Sequence, residues 1–101
     1  MANADNGLDR YDYAREKLWQ AVETLVGDRD IQTRLTSAAE IVLRLMPDKH
    51  LPSEHRAEFE DIKKILEQLH ADLPRIRLTS EEGVNLAGRI LSLYTELRGG
   101  I

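Results

Sequence analysis

Three histidines, fourteen Lys and Arg residues and eighteen Asp and Glu residues carry whatever polar chemistry this cysteine-free chain can perform. Arg44 and His50 enclose five residues in Arg44-Leu-Met-Pro-Asp-Lys-His50. At that spacing a guanidinium could bind a phosphate while an imidazole moves a proton. The plainer reading makes Arg44 a cation at a helix C-terminus, where it complements the dipole. His50 is then a loop residue after Pro47.

Glu67-Gln-Leu-His70 has the Glu-x-x-His spacing that sets a carboxylate and an imidazole on one helix face. Di-iron bundles need two such pairs and two further carboxylates, all pointing inward. One copy is present, and Glu67 falls opposite the Phe59, Ile62, Leu66 and Leu69 stripe. A solvated pair is therefore expected, with no metal and no cofactor. His55 lies within the apolar stripe one turn before Phe59, and no second ligand stands at a fixed offset from it. It reads as a partly covered helix-start residue, with a pH-sensitive contact as its functional alternative. Without cysteine there is no disulfide and no thiol nucleophile.

Arg15 projects into the apolar face of the first helix with Tyr11 and Trp19 at i−4 and i+4. Residues four apart are helix neighbours, so a guanidinium and rings can stack there. One reading is a stem covering the core rim with its head in water. The other makes Tyr11, Arg15 and Trp19 an exposed anchor for a partner, since these residue types dominate interface hot spots. Arg34 intrudes in the same way on the second helix, either exposed or paired with a carboxylate.

Four amphipathic helices must position these groups. The first is expected from Asp9, as N-cap, to Val26, with Gly27 beyond it. Leu8, Tyr11, Ala14, Leu18, Ala21, Val22, Leu25 and Val26 share its face at about 100° per residue. The second is capped by Asp28 or Asp30 and stopped by Pro47. It presents Ile31, Leu35, Ala38, Val42 and Leu45, with Ala39, Ile41 and Met46 widening the stripe. The third, capped by Ser53, runs to about His70. Thr79-Ser-Glu-Glu82 is a capping box that opens the fourth, whose Leu86, Ala87, Ile90, Leu93, Tyr94 and Leu97 face inward before Gly99-Gly100. The linker 47–52 reads as polar apart from Leu51, and the connector 71–78 as locally extended. The pattern predicts an all-α, up-down-up-down antiparallel four-helix bundle over residues 9–98. A flexible stretch 1–8 and a tail 99–101 flank it. Leu18, Val42, Ile62 and Ile90 should meet in one interior.

The net charge is −4, and even the most basic stretch, 75–101, carries four positive charges against three negative. Nucleic acid is therefore a poor partner. No apolar run approaches the ~20 residues of a membrane span, and Met1–Gly7 has no signal-like apolar core. A cytoplasmic protein is expected. Leu43, Ile65, Val84 and Leu91 exceed what one seam needs, and if they merge into a patch a protein partner is the default inference.

Tyr11-Asp-Tyr-Ala-Arg-Glu-Lys-Leu-Trp-Gln-Ala-Val22 with Leu25-Val-Gly27, and the helical tail 86–97, resemble small bacterial helical proteins of unassigned function. The resemblance implies a bacterial origin and a bundle, and transfers no site. The Arg44 and His50 spacing is similar to that of helical RNases of the HEPN type, which implies metal-independent RNA cleavage by those two residues. The reading favoured by the residues is a non-enzymatic helical module. It would bind a protein partner or itself, as a homodimer, through Tyr11, Arg15 and Trp19.

Overall fold

Every long helix in the computed structural model repeats its buried residues at three- and four-residue steps, as an apolar stripe on a 3.6-residue period requires. The model describes residues 6–70 and 77–98. The chain is all-helical there, with α1 Asn6–Leu25, α2 Ile31–Val42, α3 Pro47–His50, α4 Ser53–His70 and α5 Ser80–Leu97. Helix α1 contributes Ala14, Leu18, Ala21 and Leu25 to the core, and α2 contributes Leu35, Ala38, Ala39 and Val42. Helix α4 adds Phe59, Ile62, Leu66 and Leu69, and α5 adds Leu86, Ile90, Leu93 and Leu97. Leu18, Val42, Ile62 and Ile90 belong to this single cluster, as expected. Each fully buried Leu, Ile, Val or Phe contributes about 1.5–3 kcal/mol relative to an exposed one. Among the described residues no polar or charged side chain is buried with them.

Helix α1 packs on α2 and α5, α2 also packs on α4 and α5, and α4 packs on α5. The radius of gyration, 13.9 Å, is close to the ~13 Å of a compact 100-residue domain. Helices α2 and α5 pack tightly at Gly83. A Cβ there would lie 2.9 Å from both Cγ1 and Cγ2 of Ile31.

The helix ends follow local chemistry. Asp30 caps α2, its carboxylate accepting from the Thr33 amide at 2.8 Å. That bond holds its pKa below the ordinary value. Thr79 and Glu82 close the expected capping box, with Thr79 N–H to Glu82 Oε1 at 2.9 Å and Glu82 N–H to Thr79 Oγ1 at 3.1 Å. Just before this cap, the Leu78 amide donates to Gln32 Oε1 on α2 at 3.0 Å.

Four expectations need correction. Helix α1 begins at Asn6, so Asp9 lies inside it, and Val26 is exposed just beyond its end. Helix α2 ends at Val42, five residues before Pro47, so the proline is not what stops it. Its last turn tightens, with Arg44 N–H to the Ile41 carbonyl and Leu45 N–H to that of Val42. Met46, held extended because a proline follows it, becomes the exposed N-cap of α3 instead of a core residue. The supposed linker contains that one-turn helix, started by Pro47 at a position where a missing N–H costs nothing, and Leu51 behind it is fully buried. Ser53 stands inside α4 as its first residue. Residues 1–5, most of the 71–78 connector and the 99–101 tail lie outside the described residues.

Candidate functional site

Helices α1, α2 and α5 carry no basic residue in their last turns. For α1 and α5, arginines from elsewhere in the chain supply the missing complement to the C-terminal carbonyls. Arg15 on α1 donates from Nε to the Leu97 carbonyl that ends α5, at 3.1 Å, with Asp12 3.5 Å from its Nη1. Arg34 on α2 donates to the Leu25 carbonyl at the end of α1, and from Nε to the Arg29 carbonyl at 2.6 Å. Arg56 on α4 does the same for α3, its Nε reaching the Pro47 and Leu51 carbonyls, both at 3.1 Å. Among the described residues Arg34 thus bonds main-chain oxygens and no carboxylate. Arg15 is neither a free head in water nor simply an aromatic stacking partner.

Trp19, one turn further along α1, is 46% exposed, and its ring packs on Tyr94 of α5 at 5.6 Å between centroids. Tyr11 is half-buried. Leu91, three residues from Tyr94 and so its neighbour on α5, is 49% exposed, and Val84, two turns away on the same face, is 61% exposed. Gly88 lies between them with no atom within 4 Å of where its Cβ would be. Val26, just past the end of α1, is also exposed. Of the apolar residues in excess of the seam, Leu43 and Ile65 pack against the core, while Val84 and Leu91 face outward.

The titratable candidates lie elsewhere. Arg44 is exposed in the turn after α2. His50 accepts from the Met46 amide through Nδ1 at 2.9 Å and packs on the Tyr13 ring at 4.7 Å. Burial, and then the charge of Lys49, pushes its pKa below the ordinary value. No hydrogen bond or ion pair joins Arg44 to His50 among the described residues. His55 Nδ1 stands 3.4 Å from Glu96 on α5 and its Nε2 3.7 Å from Glu54. Glu67 is exposed, and His70 faces Glu40 of α2 at 3.5 Å. Among the described residues no group of three or more His, Asp or Glu side chains could hold a metal ion. No described helix is long and apolar enough to cross a membrane.

The pair Glu58 and Arg89 locks α4 to α5 by a two-pronged hydrogen bond, Nε to Oε2 at 2.9 Å and Nη2 to Oε1 at 2.8 Å, with Asp61 3.6 Å away. Arg89's hydrogen bond holds the Glu58 carboxyl below its usual pKa, and the same bond raises that of Arg89. The pair borders a cleft of about 340 Å³ lined by Ile65, Leu78, Glu82, Asn85, Leu86 and Arg89. Both of its charged residues are already committed, Glu82 to the cap and Arg89 to Glu58. Sequence reasoning missed the arginine caps because a main-chain carbonyl has no signature in residue type. The Glu58 and Arg89 pair has only opposite charge on two amphipathic helices as a signal.

Comparison with known proteins finds no matching family model, no matching curated protein and no matching solved structure.

Proposed function

We propose that this chain is a non-enzymatic, antiparallel four-helix module that works by docking another protein on the outer surface shared by α1 and α5. The single observation that carries the reading is the exposed apolar run Trp19, Leu91 and Val84 beside half-buried Tyr94. Exposed apolar residues scattered singly mean little, but here three share one side of one helix pair. Trp19 is the proposed anchor. Arg15 serves it indirectly, fixing the end of α5 against α1 so that Tyr94 stands under the indole.

The proposed up-down-up-down course is supported by the packing of each long helix on its chain neighbour and of α1 on α5. It is also supported by the pairing of Arg15 with Leu97 and of Trp19 with Tyr94, in which residue number rises on one helix as it falls on the other. Self-association through the same surface is the variant reading.

Trp19→Ala and Leu91→Ser, both at exposed positions, are expected to keep the fold by circular dichroism. Light scattering after size exclusion, together with capture of partners from the native host, reads the docking. If neither substitution alters self-association or the set of captured proteins, the proposal is wrong. The alternative of a metal-independent RNase using Arg44 and His50 is supported by their spacing alone. It requires RNA cleavage that His50→Ala abolishes.

A further inference from the structure

The α1/α5 surface has a charged border, and the sign of that border bears on its occupant. Asp12, Glu16, Trp19 and Glu23 follow one another at steps of four, three and four residues. At ~100° per residue they fall within an arc of about 60° on α1. All four are exposed. Three carboxylates therefore flank the indole along about 16 Å of helix, at ~1.5 Å per residue. Asp12 has Arg15 beside it, but Glu16 and Glu23 make no ion pair among the described residues. Beside this row, α5 offers Val84, Gly88, Leu91 and Thr95 at the same steps, an apolar and small-residue ridge. Arg98, stacked over Tyr94 at 5.9 Å, is a cation at one end of the surface, and exposed Glu81 lies toward the other.

Resting on the docking reading above, we propose that the occupant is an amphipathic helix of another protein carrying a Leu, Ile or Phe stripe with Lys or Arg along one flank. The stripe covers Leu91, Val84 and the indole edge, and the basic flank runs along Asp12, Glu16 and Glu23. A helix satisfies both rows at once because its own side chains recur at three and four residues. A second copy of this chain fits less well. It brings an identical carboxylate row and a net charge of −4, and like charges set across an interface oppose association.

The test uses the full chain and two synthetic helical peptides that share one Leu and Phe stripe and differ only in a Lys or a Glu flank. Trp19, the one tryptophan of the chain, reports binding at the proposed surface by its emission. The Lys peptide should shift the emission and bind about tenfold more tightly than the Glu peptide, since exposed ion pairs are individually weak and here act together. Added salt should erase most of that difference. Glu16→Gln with Glu23→Gln should also erase it. Glu60→Gln with Glu67→Gln, an equal change of charge on α4, should not, and this separates local pairing from general attraction to an acidic protein. Leu91→Ser should weaken both peptides. Equal binding of the two peptides overturns the basic-partner inference and leaves the docking surface standing. If neither peptide perturbs Trp19 and the chain is monomeric, the inference and the docking surface fall together. If neither binds and the chain is a dimer that Leu91→Ser dissociates, the occupant is a second copy and the inference is overturned.

Discussion

Gly83 and Gly88 lie five residues apart on α5, and an alanine methyl should act on them in opposite directions. Alanine is about 0.8–1.0 kcal/mol better than glycine within a helix. At Gly88 nothing within 4 Å opposes the new methyl, so Gly88→Ala should gain most of that amount, about 0.5–1 kcal/mol. At Gly83 the methyl would meet Ile31 Cγ1 and Cγ2 at 2.9 Å and Leu35 Cδ1 at 3.4 Å. Both Ile31 atoms are bonded directly to a β-branched carbon, so no rotamer change clears the two together. Helices α2 and α5 must therefore part by several tenths of an ångström. Overpacking of this kind costs about 1–3 kcal/mol, which outweighs a propensity gain already reduced in the first turn. The net loss should be about 0.5–2 kcal/mol, or a fall in Tm of several degrees for a chain of this size. Urea titration followed by circular dichroism would place Gly83→Ala below the native chain and Gly88→Ala above it. Ile31→Ala, which removes both clashing carbons, should cost less in the Gly83→Ala background than in the native one. A Gly83→Ala variant at least as stable as Gly88→Ala would refute the close packing of α2 on α5.

Three further outcomes follow from the contacts. His50 is held neutral, with a folded pKa below 6.5. Its contribution is therefore complete above about pH 6.5 and is lost as pH falls toward the lowered folded value, because the unfolded imidazole takes up a proton first. An NMR titration should give a His50 midpoint below the ordinary 6.5, and a midpoint at or above it would contradict the partial burial of the ring. For Glu58 and Arg89, whose side chains are 46% and 34% exposed, a double-mutant cycle should give a coupling of only about 0.2–1 kcal/mol after solvent screening. The lowered Glu58 pKa means that this coupling is present above about pH 4.5 and disappears as pH falls through the folded value; coupling that persists in strong acid would exclude the ion pair. Arg34→Met keeps the apolar stem but strips the donors from the Leu25 and Arg29 carbonyls, and should cost about 1–2 kcal/mol. Arg34→Lys should recover part of that as a point charge at a helix end, and wild-type urea midpoints for both would show the cap to be idle.

Periodicity, and the capping of α2 and α5, were readable in advance because both are local. The Thr79 and Glu82 box, the span of α4, and the common burial of Leu18, Val42, Ile62 and Ile90 all follow from spacings within one segment. The early end of α2 was hidden because Leu45 continues its apolar stripe, while the proline two residues later sets the backbone of Met46. Leu51 gave no periodic signal, since a single residue between a one-turn helix and the start of α4 has no repeat to join. The roles of Arg15, Arg34 and Arg56 depend on oxygens up to 82 positions away, and those oxygens belong to every residue type alike. At the candidate surface, residue types and spacing pointed to Tyr11, Arg15 and Trp19. Tertiary packing gave the three different exposures, with Tyr11 and Arg15 partly covered and Trp19 facing outward.

The arginine fastenings at the ends of α1, α3 and α5 bear on how the molecule meets acid. A guanidinium keeps its proton at every ordinary pH, and an amide oxygen takes none up under mildly acidic conditions. Acidification therefore releases the carboxylate pairs across α4 and α5 and leaves these three clasps in place. Their acceptors are also indifferent to mutation, since any residue at position 25 or 97 still offers the same oxygen. An insertion or deletion that shifts a helix end would undo what substitution at those positions cannot.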